Sequence, residues 1–159
     1  MSDVTIRPMR KSDLGPVGTL AAMLVRQHHA WDADRFLLVE PVDEGYRWFF
    51  GTQLSERDTV LLVAELEGEV VGYAYGAVEG RDWNMLLDRH GTLSDVAVDA
   101  RFRRRGIGRR LVEAAVTALE AKGAPRVVLY SATPNAEAQA LFASLGFRRT
   151  MVEMTRTKR

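Results

Sequence analysis

The stretch that decides the fold is "DVAVDARFRRRGIGRRLVEAAV", residues 95–116. Its first letters are small and β-branched apolar residues, which predict a strand that ends in an arginine-rich loop. Its last letters carry apolar residues at helical spacing, which predict a helix that starts close to Gly-Ile-Gly. Residues 101–110 hold six arginines, although the formal net charge of the whole chain is only +1. The positive charge is therefore local, and this loop is the first candidate site.

A strand, a glycine-containing loop and a helix start form an arrangement that suits phosphate. The first turn of a helix presents unpaired N–H groups and the positive end of the helix dipole. Gly106 and Gly108 have no side chains, so a ligand's phosphates can approach the main chain closely. The loop lacks the Gly-Lys-Ser/Thr of a P-loop and the third glycine of a dinucleotide-binding loop. A phosphate cradle, a solvated helix start and an RNA-binding patch all remain open, although no aromatic residues are interleaved for base stacking and Phe102 is expected in the core.

The other elements follow from hydrophobic periodicity and turn residues. The predicted strands cover 4–9, 59–66, 69–78, 92–98, 126–130 and 147–156, and the predicted helices run from Leu14 through His28 and over 43–56, 108–123 and 135–146. The two middle strands are expected to form a hairpin, and strand 126–130 to lie parallel to strand 92–98 across a right-handed crossover. The predicted fold class is α+β, with a mixed, mainly antiparallel sheet of six to seven strands and about four helices in one domain over 1–159.

Composition excludes several classes of protein. The chain has 159 residues, of which 47% are hydrophobic and 27% charged, as expected for one globular domain. It has no cysteine, which excludes disulfides and an acyl-cysteine intermediate. No apolar run reaches the roughly 18 residues of a membrane span, and the first residues lack a signal-peptide core. We therefore expect a cytoplasmic protein with no metal centre, no membrane and no nucleic acid among its partners.

The stretch 95–116 resembles the cofactor motif of the GNAT N-acetyltransferase superfamily, whose [RQ]-x-x-G-x-[GA] core matches residues 103–108. "NAEAQALFASLGF", residues 135–147, resembles the family's second signature, a helix that begins with Asn and ends in Leu-Gly-Phe. The resemblance implies the family fold, in which strands 92–98 and 126–130 splay apart, and it implies acetyl-CoA as cosubstrate. The cofactor-binding positions that it implies are Val96, Ala97, Val98, Arg103, Arg104, Arg105, Gly106, Ile107, Gly108, Arg109, Asn135 and Phe142.

The resemblance also implies direct transfer of an acetyl group to a primary amine in a ternary complex. The N–H of about Val98 would hold the thioester oxygen. Alternation along the strand places Asp95 in parity with Leu93 and Ala97, and its carboxylate is either the catalytic base or a structural group, with Glu65 a weaker candidate base. The family's usual tyrosine, seven residues after the Asn, is replaced here by Phe142, which has no proton to give. Tyr130, at the end of the fifth strand, is the candidate replacement acid.

Several questions stay open at the level of sequence. A catalytically silent acyl-CoA-binding sensor or interaction module would keep the same loop without the acid–base groups. The acceptor could be a small-molecule amine or a peptide amine, because the segments expected to set specificity, 26–58 and 80–91, carry no motif. His28 is expected to be a packed core histidine. An exposed final strand could pair two chains, so a homodimer is one expectation.

Overall fold

The computed structural model describes residues 3–159 as one α+β arrangement. Its elements, in chain order, are β1 (Thr5–Pro8), α1 (Leu14–Trp31), α2 (Val42–Gln53), β2 (Thr59–Leu66), β3 (Glu69–Glu79), β4 (His90–Val98), α3 (Ile107–Ala121), β5 (Val127–Leu129) and α4 (Ala136–Ser144). Short 3-10 turns at Lys11–Asp13 and Ala100–Phe102 precede α1 and the arginine loop. The α+β class and the positions of the four helices confirm the sequence-based prediction.

The strands form one sheet in the order β1-β2-β3-β4-β5. The first three pairs are antiparallel, and β4 and β5 are parallel. The predicted hairpin is present, and its turn residues Glu67 and Gly68 both have positive φ, 51° and 81°. That conformation matches the twist of a two-residue hairpin. The predicted parallel pair is also present, joined by α3.

The predicted final strand is not formed, so the described sheet has five strands instead of six to seven. Residues 148–159 lie beyond α4 without regular secondary structure, and every one of them is exposed. The strand pattern of "TMVEMT" is real, but a strand also needs a neighbour with which to exchange main-chain hydrogen bonds. Arg149 and Glu153 are held instead by side chains of Gln139 and Arg35.

The helices cover the two faces of the sheet and divide the core. On one face α1 and α2 bury a cluster that includes Val17, Phe50, Tyr73 and Ala97. On the other face α3 and α4 cover a cluster of small and branched apolar residues, among them Leu93, Leu111, Val112 and Ala115. Full burial of one Leu or Val side chain stabilises the fold by about 1.5–3 kcal/mol. The sheet is thus the common wall between the two clusters.

A β-bulge at Ser94 corrects the predicted parity of β4. Leu93 pairs with Gly76 and Asp95 pairs with Tyr75, so Ser94 is an extra residue on this strand. Such a bulge reverses the alternation of side chains beyond it. Leu93 therefore packs toward α3, whereas Asp95 shares the α1/α2 face with Ala97. The sequence placed all three residues on one face, which is wrong for Leu93.

None of the helices within residues 3–159 combines the length and the apolar character that a membrane span requires.

Candidate functional site

The first part of the site is an open edge in the middle of the sheet. β4 and β5 pair only from Gly91 opposite Val127 to Leu93 opposite Leu129, so residues 94–98 have no partner on the β5 side. Asp99 N–H donates to a β3 carbonyl at 2.8 Å. Because main-chain groups alternate in direction along a strand, the N–H and C=O of Val96 and Val98 then face the open side. This edge can pair with an extended ligand.

The second part is the start of α3, which meets the open edge. Arg104 and Gly106 have positive φ, 62° and 76°, and turn the chain into the helix. The first helical bond joins Arg110 N–H to Gly106 O at 3.2 Å. The N–H groups of residues 103–109 donate to no main-chain or side-chain acceptor within the described chain. A row of unpaired N–H groups at a helix start is an anion-binding concavity.

The two glycines of the loop have different reasons to be glycine. Gly106 adopts the left-handed conformation, which a side chain disfavours. Gly108 is helical, and a Cβ built there would meet Leu141 at 3.5 Å and Val98 at 3.9 Å, which are ordinary contacts. The packing of the protein itself therefore does not require glycine at 108. The bare backbone at this position leaves room for a ligand.

Four of the six arginines fix the loop to its surroundings. Their partners are Asp99 and Glu69 for Arg101, the Val98 carbonyl for Arg103, Glu137 for Arg104 and Ser144 for Arg109. Arg105 lies over the ring of Phe102, with its guanidinium carbon 5.4 Å from the centroid. The arginine run is thus partly structural, since it ties β4 and α4 to the loop. All of these arginines remain exposed, so their charge still acts on the concavity.

The third part is a carboxylate on the α1/α2 face of β4. The hydroxyl of Tyr73, which is fully buried, donates to Asp95 Oδ2 at 2.9 Å. Burial raises the pKa of Asp95 above its ordinary value, while the bond from Tyr73 and the nearby His28 act in the opposite direction. The pKa values of Tyr46 and Tyr75 are also raised, first by burial and then by Asp95. A carboxylate whose pKa is raised by burial is a better proton acceptor than an ordinary Asp side chain.

Sequence reasoning missed Tyr73, although a signal existed. A tyrosine in the middle of a strand must find a partner for its hydroxyl when it is buried. The identity of that partner depends on the register between β3 and β4. The register cannot be predicted from the sequence because of the bulge at Ser94. Glu65, the weaker candidate base, is engaged elsewhere: Arg7 lies 2.6 Å from its carboxylate.

His28 is packed, as predicted, and half-buried. Its Nδ1 lies 2.8 Å from the Leu24 carbonyl, so it carries the proton of that bond. Its ring makes edge contacts with Trp31 and Phe36 at centroid distances of 5.0 and 5.1 Å. These contacts fix the imidazole in the last turns of α1. His28 also acts on the pKa of Asp95, so it is a neighbour of that carboxylate with a fixed orientation.

The segment that runs from β5 into α4 follows the strand that lies next to the open edge of β4. Asn135 caps α4, because its side-chain oxygen accepts a hydrogen bond from Ala138 N–H at 3.3 Å. Tyr130 is 68% exposed, and Phe142 is half-buried with its ring 6.0 Å from that of Phe147. Ser131, which the sequence analysis did not single out, has a buried hydroxyl with no partner within the described chain. An orphaned buried hydroxyl beside an open strand edge fits a site that a polar ligand completes.

A second surface cavity of about 600 Å³ lies between the start of α1, the β2–β3 turn and the residues that directly follow β4, Asp99 and Arg101. Its charged side chains are paired with each other, Arg7 with Asp13 and Arg101 with Glu69. None of the charged side chains that line it lacks a partner within the described residues, so we assign it no chemistry. Within residues 3–159 there is also no group of three or more acidic or histidine side chains arranged to hold a metal ion.

A model of the acetyltransferase (GNAT) family matches residues 22–147, most of the chain. The chain belongs to the GNAT family of acetyltransferases. The match includes β4, the arginine loop, α3, β5 and α4, which are the elements that build the open edge and the concavity. This acetyltransferase is therefore an acyltransferase enzyme by family, and the family that its sequence resembles is confirmed.

Two curated relatives cover most of the chain. An N-alpha-acetyltransferase from Sulfurisphaera tokodaii is 31% identical over 136 residues, 80% of this chain and 81% of the relative. A [ribosomal protein bS18]-alanine N-acetyltransferase from Salmonella typhimurium is 43% identical over 123 residues, 77% of this chain and 75% of the relative. Both are N-acetyltransferases.

Solved structures share the fold. An aminoglycoside N-acetyltransferase, AAC(6')-Iy, in complex with CoA superimposes with a TM-score of 0.80 and 22% identity, over 100% of this chain and 97% of the other. The BH1408 protein from Bacillus halodurans superimposes with a TM-score of 0.84 and 24% identity, over 97% and 99% of the two chains.

Proposed function

We propose that this acetyltransferase moves an acetyl group from acetyl-CoA directly to a primary amine. The observation that carries the proposal is the surface that runs from the unpaired N–H groups of residues 103–109 to the open edge of β4, the strand that also carries the half-buried acid Asp95. Such a surface offers, one after another, a site for an anion, a strand edge that can pair with an extended ligand arm, and a proton acceptor. One relative is named an N-alpha-acetyltransferase and another a [ribosomal protein bS18]-alanine N-acetyltransferase, so a peptide α-amine is the acceptor to test first.

The proposed position of acetyl-CoA follows the unpaired groups. The N–H groups of Arg104 through Arg109 would bind the pyrophosphate, with Arg103 anchoring the loop to β4. The main-chain groups of Val96 and Val98 would pair with the pantetheine arm, because they face the open edge, and Ala97 lies between them with its side chain in the core. Ser131, Asn135 and Phe142 would line the opposite side. The AAC(6')-Iy structure, which has the same fold, contains CoA.

The proposed chemistry uses Asp95 as the base. The acceptor enters as an ammonium ion and gives one proton to the Asp95 carboxylate, directly or through a water. The free amine attacks the thioester carbon, and the N–H of Val98 stabilises the oxygen as it becomes negative. The C–S bond then breaks, so that the acetyl group stays on nitrogen and CoA leaves as a thiolate. Tyr130 would give that thiolate a proton and regain one from solvent, while the amine's second proton and the proton on Asp95 leave to solvent.

The test is turnover of acetyl-CoA with a panel of amines, read as release of free CoA. The panel contains a peptide with a free N-terminus, the same peptide with an acetylated N-terminus, a polyamine and an aminoglycoside. We expect CoA release with at least one free amine, and a mass increase of one acetyl group on that acceptor. The blocked peptide is the matched control. Binding of acetyl-CoA without turnover of any amine would favour a silent binding module, and failure to bind acetyl-CoA would contradict the proposal as a whole.

A further inference from the structure

A second carboxylate lies on the same face of the sheet as Asp95, at the outer end of β3. Asp95 pairs with Tyr75, and Glu79 lies four positions further along β3. Tyr75 packs on the α1/α2 face, and alternation along the strand puts Glu79 on that face as well. At about 3.3 Å per residue, Glu79 stands roughly 13 Å from Tyr75 along the strand. The two carboxylates therefore mark the two ends of one stretch of surface.

Glu79 is held in one orientation, although its side chain is 55% exposed. Thr92 Oγ1 donates to Glu79 Oε2 at 2.9 Å, and His90 Nε2 lies 3.1 Å from the same oxygen. The His90 ring is itself buried, and its Nδ1 lies 2.8 Å from the Asp88 carbonyl. Glu79 Oε1 accepts no hydrogen bond within the described residues. A carboxylate with one fixed and one free oxygen is pre-organised to accept a hydrogen bond from a ligand.

The surface between the two carboxylates is open. The strand residues that lie between Asp95 and Glu79 on this face are only half-buried, namely Tyr75, Ala77 and Thr92. Burial raises the pKa of Tyr75, and the charges of Asp95 and Glu79 raise it further, so both carboxylates act on this ring. The helices do not fully cover this stretch, and an extended molecule that lies along it can contact both carboxylates.

The free oxygen of Glu79 suits a positively charged donor. Arg81, two positions along the chain, is paired with Asp88 and not with Glu79. An ammonium or guanidinium group supplies both the charge and the N–H that a carboxylate accepts. An extended peptide advances about 3.3–3.6 Å per residue. When its α-amine lies at Asp95, a long side chain on its third or fourth residue reaches Glu79.

We propose that Glu79 selects acceptors that carry a lysine or arginine at the third or fourth residue, counted from the reacting amine. The inference rests on the proposed function, because it takes Asp95 as the place where the amine reacts. It adds the class of acceptor, a peptide that is basic close to its free N-terminus. Thr92 and His90 are positioning residues in this proposal, since they act through Glu79.

The experiment compares pairs of peptides with a free N-terminus that differ at one position. One peptide has lysine at residue 3 or 4, the other has glutamine there, and neither has another charged side chain. We expect the wild type to prefer the lysine peptide by about fivefold in kcat/KM, through a lower KM, which is the scale of one partly exposed ion pair. In Glu79→Gln this ratio should fall to about one. In Glu79→Lys the preference should turn to a peptide with glutamate at that position.

Glu120→Gln is the matched control, because Glu120 is an exposed carboxylate on α3, which covers the other face of the sheet. It should keep the wild-type ratio. Both peptides meet the same protein, so any unfolded fraction cancels from the ratio of each variant. Equal kcat/KM for the two peptides on the wild type, or an unchanged ratio in Glu79→Gln, would overturn the proposal.

Absence of turnover with every peptide would contradict the proposed function and not this inference. The affinities of the two peptides, measured by calorimetry with CoA present, then decide it. A preference for the lysine peptide that Glu79→Gln abolishes supports the inference, and equal affinities on the wild type overturn it.

Discussion

At the scale of single residues, the centre of the site is the contact between Tyr73 and Asp95. A carboxylate on a central strand costs free energy when it is ionised, because burial removes it from water. The hydrogen bond from Tyr73 recovers part of that cost and fixes the direction of the carboxylate. Burial is still the larger effect, so the pKa of Asp95 is raised. The fold keeps an acid in a position where a stable core would favour a neutral group.

Asp95→Asn should therefore lower activity and raise stability at neutral pH. The amide can still accept the hydrogen bond from Tyr73, but it cannot take a proton, so kcat should fall by roughly 10²–10⁴-fold. A raised pKa means that Asp95 favours the folded state at low pH and opposes it as pH rises through the folded pKa. The stability gain of the variant should thus be present at neutral pH and disappear below about pH 4, the ordinary value for Asp. Thermal melts and pH–rate profiles measure both effects.

Loss of stability at neutral pH with unchanged activity per folded molecule would contradict this role and make Asp95 structural. Tyr73→Phe is a useful companion, because it removes only the hydroxyl that donates to Asp95. It should raise the pKa of Asp95 further and move the acidic limb of the pH–rate profile to higher pH.

Tyr130→Phe tests the replacement acid. The side chain is exposed at the end of β5, whereas Phe142 occupies the position at which the family usually has its tyrosine. Loss of the hydroxyl should lower kcat by roughly 10²-fold, with acetyl-CoA affinity nearly unchanged, because the proton is needed only as the C–S bond breaks. Phe142→Tyr is the companion variant, and a gain of activity would show that the usual position is still usable. Full activity in Tyr130→Phe would mean that CoA leaves as an unassisted thiolate.

At the scale of elements, α3 both packs in the core and supplies the unpaired N–H groups of the candidate anion site. The helix buries Leu111, Val112 and Ala115 against the sheet, so its axis and its first turn are fixed by the core. Its unpaired N–H groups are consequently fixed as well, and a bound anion costs little ordering of the loop. The arginines on each side of the turn add charge without entering the core.

Gly108→Glu should weaken acetyl-CoA binding while leaving the fold intact. The carboxylate would compete for the N–H groups and repel the pyrophosphate. Loss of one or more hydrogen bonds to a charged group, at about 1.5–3 kcal/mol each, corresponds to roughly ten- to hundredfold or more in affinity. Calorimetry measures the affinity, and thermal melting checks the fold.

Gly108→Ala is the matched control for this variant. The added Cβ fits at 3.5 Å from Leu141, and alanine favours a helix over glycine by roughly 0.5–1 kcal/mol. We expect equal or higher stability and a smaller loss of affinity than for Gly108→Glu. Equal affinity in the wild type and in folded Gly108→Glu would remove the pyrophosphate from this turn.

At the scale of the whole molecule, an ion-pair network ties the edge of the sheet to the first helix. Arg7 on β1 contacts Asp13 at 2.8 Å and Glu65 on β2 at 2.6 Å. The Asp13 side chain is only 6% exposed, and it also accepts a hydrogen bond from Arg10 N–H at 2.7 Å. The contact with Arg7 lowers the pKa of Asp13, against the opposing effect of burial. This network holds α1 over the face on which Asp95 lies.

Asp13→Asn should destabilise the protein by about 1.5–3 kcal/mol at neutral pH, the usual range for a hydrogen bond between charged groups. A lowered pKa means that the wild-type advantage is complete above about pH 4 and is lost as pH falls through the folded pKa. Glu65→Gln is the matched control, since its side chain is 32% exposed and should cost less than about 1 kcal/mol. Chemical unfolding at several pH values measures the difference, and equal losses for the two variants would contradict the assignment.

The sequence by itself determined the family and all of the elements except the final strand, which it predicted wrongly. The periodicity of residues 107–121, the Glu67-Gly68 turn and the Asn135 cap are local features, and local features are encoded by neighbouring residues. The arginine–glycine loop belongs to this group, because a helix start and its free N–H groups follow from a short stretch of chain. The candidate anion-binding turn could therefore be predicted before any coordinates, and its role in binding acetyl-CoA stays a prediction.

Only the tertiary structure decided the rest, because it depends on register and on pairing over long distances. The bulge at Ser94 places Asp95 on the α1/α2 face, where it meets Tyr73, and leaves Leu93 on the α3 face. No local sequence pattern predicts such an inserted residue. Ser131 became a candidate only when its hydroxyl was found buried without a partner in the described chain. The segment 148–156 has the alternation of a strand and yet forms none, since a strand exists only where a second edge supplies its hydrogen bonds.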